Sequence, residues 1–245
     1  MKKTFVAMTL FLMLTVALCA NEVYELWDQI LAETVSYGYR NGVELTVVDY
    51  QKVKNMPEYA ELLETLSGFR ITDLAGRDAS LAFWINVYNI AAVKMIIDNY
   101  PLSSIRRAGN LLRSVWNRDV IDIGGEMYTL GEIEHDILKK YDEPRIHFAI
   151  VCASISCPDL ADRSYRAATI DEQLNRQTFN FLENRGKGVR IDRENKTIHV
   201  SRIFKWFEDD FGDREGVLQF ISKYLDNGYL QYRIRYLNYD WELNE

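Results

Sequence analysis

The sequence predicts a single mixed α/β or α+β domain, with a central buried helix over about residues 77–100 and a small sheet that includes a strand over 145–153. Three observations carry this reading. The run Leu81–Val93 is apolar almost all the way round a helix, the pattern of a helix covered on every side. Short stretches with a two-residue alternation fall between helical stretches at irregular intervals. No internal repeat, low-complexity tract or linker divides the 245 residues, which fit one large domain.

Taken in order, Lys2 and Lys3 precede an apolar run from Phe5 to Leu18, with small residues about Ala17–Ala20. This is the pattern of a secretory signal peptide over residues 1–20, too short for a membrane span, and it predicts a periplasmic or extracellular protein. Bulky Leu18 argues against a lipid anchor at Cys19. Val23 to Tyr39 is expected as one amphipathic helix through Leu26, Ile30 and Val35, ended by Asn41-Gly42. Val43 to Tyr50 is either extended or a second helix. Pro57 opens a helix through Tyr59, Leu62, Leu63 and Leu66, and Ser67-Gly68 stops it. The long helix from Arg77 ends before Pro101.

Val120–Ile123, Gly124-Gly125 and Glu126–Tyr128 read as a hairpin with a glycine turn. Thr129 and Glu132 are spaced as a capping box for a helix over Leu130–Tyr141. Further on, a helix is expected over Ile170–Asn184, a hairpin over 189–200, a short helix from Ser201 through Trp206 to Phe211, a clear helix over Arg214–Leu225, and a half-exposed strand over Tyr229–Tyr239. Loss of the two leader lysines would take the formal charge from −7 to −9, which disfavours nucleic acid and anionic membranes as partners. The basic group Arg106, Arg107, Arg113 and Arg118 could bind an anion but reads first as a solvated face.

Chemistry concentrates in Arg145–Leu160. This stretch holds His147 and both cysteines beyond the leader, Cys152 and Cys157. An apolar strand followed by a small-residue loop and Pro158 predicts a helix beginning near Cys157, whose N-terminal field would favour a thiolate. Along a strand, His147 and Cys152 would stand roughly 16 Å apart on opposite faces. Asn86 and Asn89, three apart on the buried helix, must find partners. They either tie the helix to a neighbouring loop or serve a catalytic histidine or oxyanion. His135 follows Glu134 beside the apolar stripe of its helix.

Six segments together resemble one family. They are Ala82–Asn89; Tyr100-Pro101 with Ser104-Ile105; Tyr128–His135; Arg145–Phe148 with Cys152–Pro158; Ser201–Trp206 with Asp210-Phe211; and Tyr239–Asn244. Over about residues 45–244 the chain resembles the domain-of-unknown-function 547 family. The resemblance implies a single domain, often exported in bacteria, and no established activity.

Three readings of function follow. In the first, a thiol-dependent hydrolase or acyltransferase uses Cys157 as nucleophile and His135 as base, oriented by Asn86 or Glu134, with Cys152, His147 and Asn89 in support. His135 then precedes the cysteine, the reverse of the papain-like order. In the second, a non-catalytic binding module is pinned by a Cys152–Cys157 disulfide, and Trp84, Tyr88, Trp206, Tyr239 and Trp241 build a core or line a groove. In the third, His135, His147, Cys152 and Cys157 hold zinc, although their spacing matches no zinc motif. Phosphate-loop, dinucleotide and Gly-x-Ser-x-Gly signatures are absent. No cofactor is expected. The partner is expected to be a small molecule or peptide, with no transmembrane segment in the mature chain.

Overall fold

The computed structural model describes residues 20–109, 114–225 and 227–245. Residues 1–19, which include Cys19 and most of the expected leader, and Arg113 lie outside them. Helix α1 (20–34) is followed by the strands β1 (Val35–Arg40) and β2 (Val43–Val48), and by helices α2 (Tyr50–Asn55), α3 (Pro57–Ser67) and α4 (Arg77–Asp98). Then come the hairpin β3 (Asp119–Ile123) and β4 (Glu126–Thr129), helix α5 (Ile170–Glu183), and strands β5 (Val189–Asp192) and β6 (Thr197–Val200). Helices α6 (Ile203–Trp206) and α7 (Arg214–Tyr224) and strand β7 (Arg233–Tyr236) complete the chain.

The expected central helix is α4. Every residue from Leu81 to Ile97 is buried except Lys94. It is long and apolar enough to cross a bilayer, yet 89% of that stretch is covered by the rest of the protein. Burial on all sides explains an apolar pattern without a polar face.

Among the described residues the strands form three small separate sheets rather than one. β1 and β2 pair antiparallel from Val35↔Val48 to Arg40↔Val43. Here the expected helix over 23–39 is cut short at residue 34. Val35-Ser-Tyr-Gly-Tyr-Arg40 favours extended backbone. Asn41 and Gly42 have φ of 48° and 84°, the left-handed pair of a two-residue hairpin turn. The Asn-Gly pair is therefore a turn between strands and not a helix stop.

The hairpin β3–β4 forms as expected. Gly124 (φ +65°) is required twice over: a Cβ there would lie 2.5 Å from the Phe69 carbonyl oxygen, while its own N–H donates to Leu66 O at 3.0 Å. The Thr129–Glu132 capping box is also made. Thr129 N donates to Glu132 Oε2 (2.8 Å) and Glu132 N to Thr129 Oγ1 (3.1 Å). The helix beyond is not α-helical throughout. Residues Glu132–Ile137 form a π-helix and Leu138–Tyr141 a 3-10 turn. β5 and β6 pair antiparallel, and β7 adds parallel to β6 over four residues.

The strand expected over 145–153 does not form. Pro144–Phe148 is a 3-10 turn, and irregular chain follows. Pro144 opens that turn, whose N–H groups need no sheet neighbour. The backbone after it finds a substitute partner in α4: Asn89 Nδ2 donates to Ala149 O and Val151 N donates to Asn89 Oδ1, both at 3.0 Å. A side-chain amide thus replaces the rung of a ladder.

Two apolar clusters result. The larger surrounds α4; the smaller packs Phe148, Phe181, Phe204, Phe211 and Phe220 against the β5–β6–β7 sheet. The C-terminal segment 240–244 ties the cysteine loop to the rest. Ile155 N donates to Glu242 O (2.9 Å) and Ser156 N to Asp240 O (3.2 Å). Asn244, buried, accepts from Tyr50 Oη at 2.7 Å and donates to Thr46 O at 3.1 Å. Asn244→Ala leaves both groups without that partner, and chemical denaturation should show a loss of about 2 kcal/mol.

Candidate functional site

At the seam of the two clusters lies a cavity of about 250 Å³. Each chain segment that reaches it does so for a local reason. The π-helix swings Glu134 and His135 to its wall, a distortion recurrent at functional sites. The 3-10 turn brings in His147. The irregular chain after it contributes Ile150, Val151 and Cys152, and the loop end supplies Cys157 and Pro158. Trp206 and Phe207 come from α6 and its end, and Tyr239 and Trp241 from the C-terminal segment. Trp206, Tyr239 and Trp241 pack against one another at tilted angles with centroids 4.5–5.5 Å apart, giving the cavity an aromatic side.

Five of the seven residues singled out in the sequence line this cavity: Cys157, Cys152, His135, His147 and Glu134. Asn86 and Asn89 are absent from its lining. Both atoms of the Asn86 amide are engaged by the Tyr165 backbone, donating to its O and accepting from its N at 2.9 Å. Asn89 is engaged by Ala149 and Val151. Both asparagines tie the helix to loops.

The surroundings of the two cysteines differ from those the sequence predicts. No helix begins at Pro158. Asp159, which could have capped one, instead accepts from Thr46 N and from the buried Lys187 ammonium, both at 2.7 Å. Without a helix end, Cys157 loses the expected field. It is 5% exposed, and burial pushes its thiol well above the ordinary range. Cys152 is half-buried, and its sulfur is held by polar neighbours. It lies 3.2 Å from Ser154 Oγ and 3.3 Å from Tyr239 Oη. The Cys157 thiol as donor is the first cause that draws the Cys152 pKa down to about 7, against the burial that opposes it. The pair shares its protons unequally, with Cys157 holding its hydrogen more tightly than Cys152. Cys152 N also donates to Cys157 Sγ at 2.8 Å. Both sulfurs are free, with no bond between them.

His147 is 3% exposed. Its Nε2 lies 2.7 Å from Asp210 Oδ2, and Lys139 Nζ stands 3.0 Å from the other oxygen of that carboxylate. Burial lowers the His147 pKa despite the carboxylate, so the ring is neutral at neutral pH and the Asp210 bond fixes the Nε2–H tautomer. The hydrogen bond from His147 holds Asp210 below the usual carboxylate range. Phe207 stacks on the ring at 4.0 Å. Nδ1 is buried without a protein partner, leaving a basic lone pair. The 16 Å separation expected from strand geometry does not apply, because the strand is absent and His147 and Cys152 share one cavity.

His135, by contrast, is exposed, with its ring 6.4 Å from that of Phe207. Glu134 is buried and accepts from Tyr88 Oη at 3.1 Å; burial raises its pKa. Among the described residues no group of three or more His, Cys, Asp or Glu side chains is placed to hold a metal ion. Sequence reasoning missed Asp210 as the histidine's partner and Ser154 as a neighbour of the thiol. Asp210 lay in a quoted segment, but only folding brings it 63 positions back to His147.

Residues 71–182 match the family described as "Protein of unknown function, DUF547", which shows the resemblance over the middle of the chain. The segments around Ser201–Phe211 and Tyr239–Asn244 lie outside the matched range. No curated protein and no solved structure matches the chain.

Proposed function

We propose that this DUF547-like chain is an exported thiol-dependent hydrolase or acyltransferase whose nucleophile is Cys152. The single observation that carries the reading is the placement of a half-buried thiol, with its pKa drawn to about 7, in one cavity with a buried carboxylate-held histidine. An N-terminal leader pattern supports export. The base is His147, oriented by Asp210, rather than His135.

The chemistry follows from these groups. The Cys152 thiolate attacks the carbonyl carbon of an ester or thioester; the S–C bond forms, the bond to the leaving alkoxide or thiolate breaks, and the leaving group takes up a proton from water. His147 Nδ1 then takes a proton from water, or from an acceptor nucleophile, as that group attacks the acyl thioester and frees Cys152. The aromatic wall and Ile150, Val151 and Pro158 suit an apolar acyl group. A small molecule or the acylated end of a peptide fits this volume, and the acidic chain gives no footing to nucleic acid.

The test is trapping. The protein is incubated with p-nitrophenyl butyrate, quenched in acid and mapped by mass spectrometry. Butyryl on Cys152, with a burst of nitrophenolate, is the expected result. Absence of acyl label on either cysteine across short-chain and aromatic esters and thioesters would overturn the catalytic reading and return the cavity to ligand binding.

A further inference from the structure

We propose that Cys152 is a site of reversible oxidation by hydroperoxides, with Cys157 as its resolving thiol. This uses the same sulfur as the proposed function but none of its acyl chemistry.

The geometry has three parts. Cys152 faces the cavity and is half-buried, so a small oxidant reaches it, whereas Cys157 is covered. The second sulfur is already beside the first residue: Cys157 Sγ sits 2.8 Å from the backbone nitrogen of Cys152. The joining loop turns sharply through Ala153, which holds φ of +56°, a left-handed conformation that a residue with a Cβ adopts at a cost. The loop is gripped by the C-terminal segment through Ile155, Ser156 and the Ser154↔Leu243 bridge. The reduced pair is thus held close, and bond formation requires the loop 153–156 to rearrange.

The steps balance. The Cys152 thiolate attacks one peroxide oxygen; the S–O bond forms, the O–O bond breaks, and the leaving alkoxide or hydroxide takes up a proton. This gives a sulfenic acid. Cys157 sulfur then attacks Cys152 sulfur; the S–S bond forms, the S–O bond breaks, and hydroxide leaves as water with the Cys157 proton. Two thiols are oxidised and one hydroperoxide is reduced to an alcohol, or to water when it is hydrogen peroxide. A dithiol reductant restores the pair. The cavity's apolar, aromatic lining favours an organic hydroperoxide over hydrogen peroxide.

The test uses the full reduced chain exposed to stoichiometric cumene hydroperoxide and, separately, to hydrogen peroxide. Peptide mapping follows each exposure and reads Cys19 on its own. The expected product is one Cys152–Cys157 disulfide, reversed by dithiothreitol and formed faster with the organic oxidant. Cys157→Ser should instead give a Cys152 sulfenic acid that dimedone labels, followed by irreversible gain of further oxygen. Cys152→Ser should leave Cys157 unoxidised over the same interval. A wild-type chain whose Cys152 over-oxidises without forming the disulfide, or whose Cys157 oxidises first, would overturn the inference, whether or not either variant folds. The wild-type result is independent of acyl trapping: a disulfide without acylation refutes only the acyl chemistry, and acylation without a disulfide refutes only this proposal.

Discussion

Cys152→Ala abolishes acyl transfer, with turnover falling about 10⁴-fold or more, the scale of losing a covalent nucleophile. Cys157→Ala has a much smaller effect. It removes the donor that draws the Cys152 pKa down, so at pH 7 less of Cys152 is thiolate. The thiolate that remains is intrinsically more nucleophilic, which offsets part of the loss. The net decrease is about tenfold. The two alanine variants therefore distinguish Cys152 from Cys157 as the nucleophile. Equal losses, or the greater loss at Cys157, would restore Cys157 as nucleophile. Activity is read as butyryl-ester turnover beside circular dichroism, so that a fold defect in either variant is seen as such.

Asn89→Ala is expected to be the most damaging single change outside the cavity. The amide satisfies Ala149 O and Val151 N in buried surroundings, and truncation leaves two backbone groups without partners. At about 1–3 kcal/mol each, the loss is about 3 kcal/mol or more, and the melting temperature should fall by roughly 10 °C. Asn89→Asp serves as the comparison: it keeps an acceptor for Val151 N but presents an oxygen to Ala149 O. A melting shift below about 2 °C for Asn89→Ala would mean that the 149–151 segment does not depend on this amide.

These two results bear on how much was legible in the chain. The buried helix α4 was readable because an apolar pattern on every face has one physical meaning. The β3–β4 hairpin and the Thr129–Glu132 box were readable because turn and cap chemistry is local. The segment 145–153 was misread for a specific reason: an apolar run looks like a buried strand when its backbone partners are unknown, and here the partner is a side chain some 60 positions away. The Asn41-Gly42 turn was misplaced because the same two residues end helices and join strands.

The site followed the same divide. Residue types that carry chemistry were recognisable singly, and five of the seven chosen meet at one cavity. Their roles depended on tertiary contact. Cys157 was favoured on the expectation of a helix start, and that expectation failed when Asp159 turned to Thr46 and Lys187. His147 was given only a supporting place, because strand geometry, which the 3-10 turn removes, set it far from Cys152. Asp210 acquires its role only when α6 and the turn after it pack against His147, an association that local sequence does not encode.

The most direct measurement is the rate of iodoacetamide alkylation of each cysteine as a function of pH, resolved by peptide mapping of the reduced, folded chain. A thiol reacts through its thiolate, so its rate falls about tenfold per pH unit below its pKa and levels off above it. Cys152 should alkylate first, with a midpoint near pH 7, matching the pKa of about 7 set by Cys157, Ser154 and Tyr239. Cys157 should remain protected until the chain unfolds. A Cys152 midpoint at the ordinary thiol value, or Cys157 as the faster residue, would contradict the assignment of Cys152 as the reactive thiol.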